Sequence, residues 1–148
     1  MKLIKFALAA LYVISTIACA AGDSAAPAGV ITTASGLQYV DEAVGEGESA
    51  KTGDTVSVQY TGWLQQADGS KGLQFDTTRD SGRPFEFQLG RRKVIQGWEE
   101  GISGMRVGGK RTLIVPSELA YGKRGVGKIV LPNQSLIFEI ELVALGAR

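Results

Sequence analysis

The chain of 148 residues contains no histidine, which removes the commonest general base and the commonest metal ligand. It has one cysteine, Cys19, so no intrachain disulfide can form and no cysteine cluster can hold zinc. Nucleophilic chemistry built on a Ser-His or Cys-His pair is excluded with them. An excess of either charge is missing too. The 16 Lys and Arg stand against 15 Asp and Glu, and no block of like charge appears, so nothing points to nucleic acid. No internal repeat is present. No metal or cofactor is expected.

What remains is ordinary globular composition, 44% hydrophobic and 21% charged, at a length that suggests one domain and a short extension. Twenty glycines fall mostly between apolar runs and read as turns of a β-rich fold.

Residues 1–20 read as an export signal. Lys2 and Lys5 precede an apolar run from Phe6 to Ile14, and small residues follow. The run is shorter than the ~18–20 residues of a membrane span, which argues against a transmembrane anchor. Two cleavage readings stand. Ala18-Cys19-Ala20 fits cutting after Ala20. Alternatively, Thr16-Ile17-Ala18-Cys19 is similar to a bacterial lipoprotein box, with Cys19 as the lipidated first residue and a membrane anchor. Thr16 stands where that box prefers Leu, but the position of the sole cysteine and the small-residue stretch after it favour lipidation. Loss of 1–20 changes 16 cations against 15 acids to 14 against 15, still near neutral. Residues 21–35, rich in Ala, Gly, Ser and Thr, read as a flexible tether, and residues 36–148 as the folded domain.

From Leu37 onward, period-2 runs dominate. Val56, Val58 and Tyr60 share one face of Thr55 to Leu64. Phe85, Phe87 and Leu89 line another run, Lys110 to Val115 is a strand stopped by Pro116, and Leu136, Phe138, Ile140 and Leu142 share a face of the last. One segment breaks the alternation: Ile95, Trp98 and Ile102 form a helical stripe. Gly97 and Gly101 weaken that helix by about 1 kcal/mol each relative to Ala, so packing must hold it, and both glycines permit close approach to the sheet. The pattern predicts an α+β domain, a half-wrapped antiparallel sheet of about five strands around one short α-helix. Val94, Ile95 and Trp98 at the helix entrance, with strand aromatics near, make an aromatic-walled apolar pocket. Taken singly, each has a plainer reading: Tyr60, Phe87, Phe138 and Trp98 as core, Asp76 as a turn former or partner of Arg79, Tyr121 as a loop anchor.

Six segments together resemble the FKBP-type peptidyl-prolyl cis-trans isomerases, of the exported, single-domain bacterial type. They are Val58-Gln59-Tyr60-Thr61-Gly62, Gln74-Phe75-Asp76-Thr77-Thr78-Arg79-Asp80, Pro84-Phe85-Glu86-Phe87-Gln88-Leu89-Gly90, Val94-Ile95-Gln96-Gly97-Trp98-Glu99-Glu100-Gly101, Ala120-Tyr121-Gly122 and Leu136-Ile137-Phe138-Glu139. They stand in the family's order, over about residues 37–146. The resemblance implies the same half-wrapped sheet. It implies pocket walls at Tyr60, Phe75, Phe87 and Phe138, an edge at Phe85, and a floor at Trp98. The rim would be Val94 and Ile95, with the Ile95 N–H donating to a substrate carbonyl. Asp76 and Tyr121 would be the polar groups at the mouth, and Ile129 would lie on a flap over the site. Asp76, Tyr121, Ile95, Trp98 and Phe138 are thus the expected catalytic set, and Tyr60, Phe75, Phe85, Phe87, Val94 and Ile129 the expected substrate contacts.

The chain departs from the family pattern in three places. Gly62 to Phe75 is several residues longer, the flap Lys123 to Pro132 carries three cations, and Leu119 replaces a frequent tyrosine. The resemblance implies proline-containing polypeptides as substrates and tacrolimus and rapamycin as inhibitors; the signal segment adds a role in folding exported proteins in the periplasm, and the short flap and short 21–35 stretch argue for a monomer. A binding module with weak catalysis is the competing reading, but the flap is short and residues 21–35 cannot form a dimerisation arm. A structural envelope protein is disfavoured by the absence of repeats.

Overall fold

The computed structural model describes residues 29–146. The signal segment and Cys19 lie outside the described residues. Seven strands and one helix follow in the order β1 (Ile31–Thr32), β2 (Gln38–Ala43), β3 (Thr55–Gln65), β4 (Lys71–Thr77), β5 (Phe85–Gln88), α1 (Gln96–Ile102), β6 (Lys110–Val115) and β7 (Leu136–Gly146). All pairings are antiparallel, in the order β1-β2-β6-β7-β3-β4, with β5 also on β3. The α+β architecture with one helix is as expected, but the strand number is seven rather than about five.

Two features account for the difference. β1 lies inside the segment read as a tether. Ile31 pairs with Tyr39 and Thr32 with Gln38, across a turn in which Gly36 takes φ 93° and the Gly36 N–H donates to the Thr33 carbonyl. The fully buried Leu37 anchors that turn, so ordering here comes from the residue after the tether rather than from its own composition. The second feature is an interrupted edge. β3 pairs through Thr61–Gln65 with β4 and through Thr55–Val58 with β5, so β4 and β5 are one broken strand. Residues 78–84 leave the edge between them. Thr78 still bonds Tyr60 in both directions, its N–H to the Tyr60 carbonyl at 3.0 Å and its Oγ1 accepting the Tyr60 N–H at 2.9 Å.

β3 and β7 form the spine of the sheet, paired from Thr55 to Leu64. Their inward residues, Val56, Val58, Leu136, Phe138, Ile140 and Leu142, are all buried, as alternation requires. α1 crosses the same face. A Cβ on Gly97 would lie 2.5 Å from Val115 Cγ1, and one on Gly101 2.6 Å from both Leu113 Cδ atoms, so the glycines set the helix directly on β6. Trp98 and Ile102 bury the helical stripe. α1 has no side-chain N-cap. Its last turn is instead held from the sheet, where Arg111 donates to the Gly101 carbonyl at 2.9 Å while paired with both Asp41 carboxylate oxygens. The long 62–75 stretch becomes the β3–β4 hairpin, turning at Asp68-Gly69, with Gly69 at φ 86°.

Candidate binding cleft beside the helix

The inward faces of β3, β4 and β7 are longer than α1 can cover, and a cleft opens where the helix begins. Trp98 forms its floor. The indole is buried and sits edge-on to Tyr60, centroids 4.7 Å apart at 82°, and to Phe138 at 5.2 Å and 84°. Phe85 lies 6.2 Å from both Tyr60 and Trp98. Phe75 meets Phe138 edge-on at 5.7 Å. Edge-to-face contacts of this kind add about 0.5–1.5 kcal/mol each beyond burial, so the rings hold one another upright as walls. Trp98 Nε1 is buried without an acceptor among the described residues, and the contacts of the indole with the wall residues run through its ring.

Gly62 makes the wall possible. A Cβ there would stand 2.8 Å from Phe138 Cε1 and 2.9 Å from Phe75 Cζ. Only a bare backbone lets both rings close over β3.

The cleft has a volume of about 180 Å³ and is lined by Tyr60, Phe75, Asp76, Phe85, Lys93, Val94, Ile95, Trp98, Tyr121 and Phe138. Drug-sized pockets run to ~300–1,000 Å³, so this one suits a single ring with its flanking amide rather than a large cofactor. Its polar groups gather at one side. Tyr60 donates its hydroxyl to Asp76 Oδ2 at 2.5 Å. Burial, and then that hydrogen bond and the carboxylate charge, push the Tyr60 phenol well above the ordinary tyrosine range. Burial and the same carboxylate raise Tyr121. Both phenols therefore stay protonated donors at neutral pH. Asp76 takes the Tyr60 hydroxyl rather than Arg79, which pairs with Glu141.

Ile95 is the N-cap of α1, with φ −59° and ψ 152°. Its carbonyl accepts the Trp98 and Glu99 N–H groups, while its own N–H has no partner among the described residues. An unpaired donor at a helix start is the expected consequence of helix geometry, and here it belongs to a residue of the cleft lining.

Two expected contacts lie outside the cleft lining. Phe87 does not line the cleft; it is buried behind it, stacked on Phe85 at 5.7 Å and 5.9 Å from Trp98. Alternation carries it inward past the opening, where it props the ring that does line it. Ile129 does not line the cleft either. It is 49% exposed, on a loop held by its neighbour Val130, which is buried and bridges to Val126. Lys93 lines the cleft and was missed. Its place directly before Val94-Ile95 was the available signal.

Comparison with known proteins agrees with this geometry. Residues 46–143 match the FKBP-type peptidyl-prolyl cis-trans isomerase family. FK506-binding protein of Neisseria meningitidis serogroup A is 46% identical over 99 residues, covering 67% of this chain and 86% of its own. FK506-binding protein 4 of Dictyostelium discoideum is 46% identical over 115 residues, or 78% of this chain. The match spans 30% of the length of that protein, and 30% of a 39 kDa FK506-binding nuclear protein of Drosophila melanogaster. Among solved structures, FkpA from Escherichia coli superposes with a TM-score of 0.69 at 44% identity, covering 79% of this chain and 51% of that one. AtFKBP13 gives 0.70 at 36%, covering 80% and 99%.

Proposed function

Because this chain belongs to the FKBP-type peptidyl-prolyl cis-trans isomerase family, we propose that its cleft grips a prolyl residue and speeds rotation about the preceding peptide bond. The barrier to that rotation is ~18–20 kcal/mol, and an Xaa-Pro bond left alone takes tens to hundreds of seconds. No bond breaks and no proton must leave, so a site without histidine or nucleophile suffices. The twisted amide has lost C–N resonance and carries less charge separation than the planar one. Apolar walls at Tyr60, Phe75, Phe85, Trp98 and Phe138 disfavour the planar form relative to the twisted one. The free Ile95 N–H would hold one carbonyl while the chain on the other side turns, and Asp76 with its tyrosine donors would orient the rest. A millionfold acceleration needs about 8 kcal/mol of differential stabilisation, which orientation and electrostatics must share.

The observation that carries this reading is the ring-walled cleft with an unpaired backbone donor at its rim. Relatives named for FK506 binding support the same cleft as a macrolide site. The test is cis-to-trans exchange of Xaa-Pro peptides by the purified chain, with and without rapamycin. Fast exchange that rapamycin abolishes is expected. Tight rapamycin binding without exchange would replace the enzyme with a docking module, and neither would remove the site. We further propose that the substrates are exported proteins, from Lys2, Lys5 and the apolar run that follows, and that Cys19 is lipidated. The mass of the mature N-terminus decides between a lipidated Cys19, cleavage after Ala20 and an uncut chain.

A further inference from the structure

Cations are distributed unevenly over the fold. On the sheet they are paired: Lys71 with Glu139, Arg79 and Lys110 with Glu141, Arg111 with Asp41. Around the cleft they are not, nor are Lys51, Arg83 and Arg106 elsewhere among the described residues. Arg91, Arg92 and Lys93 run up to the rim, and Lys123, Arg124 and Lys128 follow Tyr121, the other end of the lining. All six are exposed, and none is in an ion pair among the described residues. Lys123 is two residues from Tyr121, so its Cα lies within about 7.6 Å of that residue's at ~3.8 Å per step. Within the lining only Asp76 and Lys93 carry charge, and Asp76 is engaged by Tyr60. The carboxylates of α1 also meet only neutral donors, Glu99 the Gly90 N–H and Glu100 Ser35 and Gln96, so hydrogen bonding leaves the charges of Asp76, Glu99 and Glu100 in place. The six cations outnumber these three acids, so a near-neutral chain presents an excess of positive charge beside the cleft where a peptide would enter.

We infer that the cleft selects proline-containing segments with an acidic residue beside the proline, and that Lys93 is the specificity-determining residue that reads it. The inference rests on the isomerase reading of the same cleft. A carboxylate next to a prolyl ring held over Trp98 would come within reach of the Lys93 ammonium without displacing any existing ion pair. The remaining five cations add a field that falls off over the Debye length, ~10 Å at 0.1 M salt. Such a field both attracts acidic segments and repels basic ones.

The test uses the full chain and short Xaa-Pro-Yaa peptides with Glu, Gln or Lys on either side of the proline, beside an all-Ala reference. At low salt, kcat/KM for Glu peptides is expected to exceed that for the Gln counterparts by about fivefold, the upper end for an exposed pair. The ratio should fall toward one near 1 M salt, where the Debye length is ~3 Å. Lys93→Gln should abolish it and Lys93→Glu invert it. A ratio of one in the unmodified protein, with the reference peptide still isomerised, overturns the inference and leaves the isomerase standing. A reference peptide left unaccelerated brings down the isomerase reading and this inference with it. A preference unmoved by Lys93→Glu but lost in Lys123→Glu/Arg124→Glu overturns the role of Lys93. Binding to phosphatidylserine-containing vesicles that Lys123→Glu/Arg124→Glu abolishes, with a peptide ratio of one throughout, overturns the inference in favour of a lipid surface.

Discussion

The two faces of the β3–β7 ribbon are built from alternate residues of the same strands, yet they solve opposite problems. On the inner face, Phe138 and Tyr60 meet Trp98 edge-on, and the rings stand in apolar surroundings. On the outer face, the neighbours of Phe138 along β7 include Glu139, which pairs with Lys71, and Glu141, which pairs with Arg79 and Lys110. Nothing in strand geometry distinguishes the faces; a one-residue slip would exchange them. The helix makes the difference. Gly97 and Gly101 lay the backbone of α1 on β6 while Trp98 reaches the rings of β3 and β7, so the inner face is covered at one end and left as a ring-walled cleft at the other. A cleft here is the uncovered remainder of a core, which is why Trp98 and Phe138 belong to the hydrophobic cluster and Tyr60 and Phe75 pack against it.

The largest effect should come from truncating adjacent residues on the two faces. Phe138→Ala removes a buried ring that touches Trp98, Tyr60 and Phe75, and is expected to cost about 3–5 kcal/mol. Glu139→Ala removes one partner of an exposed pair, with side chains 41% and 45% accessible, and is expected to cost under about 1 kcal/mol. Urea unfolding of both variants measures the difference. Equal costs would mean that the inner face is not the core.

Gly62→Ala sharpens the comparison without removing any contact. The added methyl would press on Phe138 and Phe75 from the backbone, within 3 Å of each. Overpacking of this kind costs about 1–3 kcal/mol, and here it also pushes the cleft walls inward. We expect a lower urea midpoint together with a raised KM for Xaa-Pro peptides. A stability loss with KM unchanged would show that the rings absorb the methyl on the side away from the cleft.

Much of this was legible in the sequence because period 2 and period 3.6 are both strong signals. Val56, Val58, Leu136, Ile140 and Leu142 were assigned inward by alternation alone, and all are at most 2% exposed. Gly97 and Gly101 were expected to bring the helix close, and the distances to Val115 and Leu113 give the reason. What escaped has a common character. β1 orders through pairing with β2, a tertiary event that the composition of 21–35 does not record. The break between β4 and β5 depends on where residues 78–84 leave an edge, which alternation cannot register. Phe87 and Ile129 were placed by resemblance, which carries identity but not the local angle that turns one behind a wall and the other to solvent. Lys93 stands outside both the strand alternation and the helical stripe, so neither period marks it.

The smallest effect tests the one polar contact that crosses from wall to mouth. Tyr60→Phe keeps the ring that leans on Trp98 and removes only the hydroxyl given to Asp76. Its cost at neutral pH should be about 1 kcal/mol, since water can reach the exposed carboxylate left behind. The more telling reading is at alkaline pH. The phenol of Tyr60 is raised in the folded state, first by burial and then by Asp76, above its unfolded value of ~10. The folded chain therefore holds this proton more tightly than the unfolded one. The associated stability is complete below pH ~10 and is lost as pH climbs toward the raised value. Tyr121 adds a term of the same sign. Unfolding free energy of the unmodified chain should thus fall between pH 9 and pH 11.5 more steeply than that of Tyr60→Phe, with Tyr121 contributing to the slope that remains. Parallel slopes would mean that Tyr60 ionises as freely folded as unfolded. The tyrosine–carboxylate contact would then be as accessible to water as the pairs on the outer face, and the contrast between the faces would rest on the rings alone.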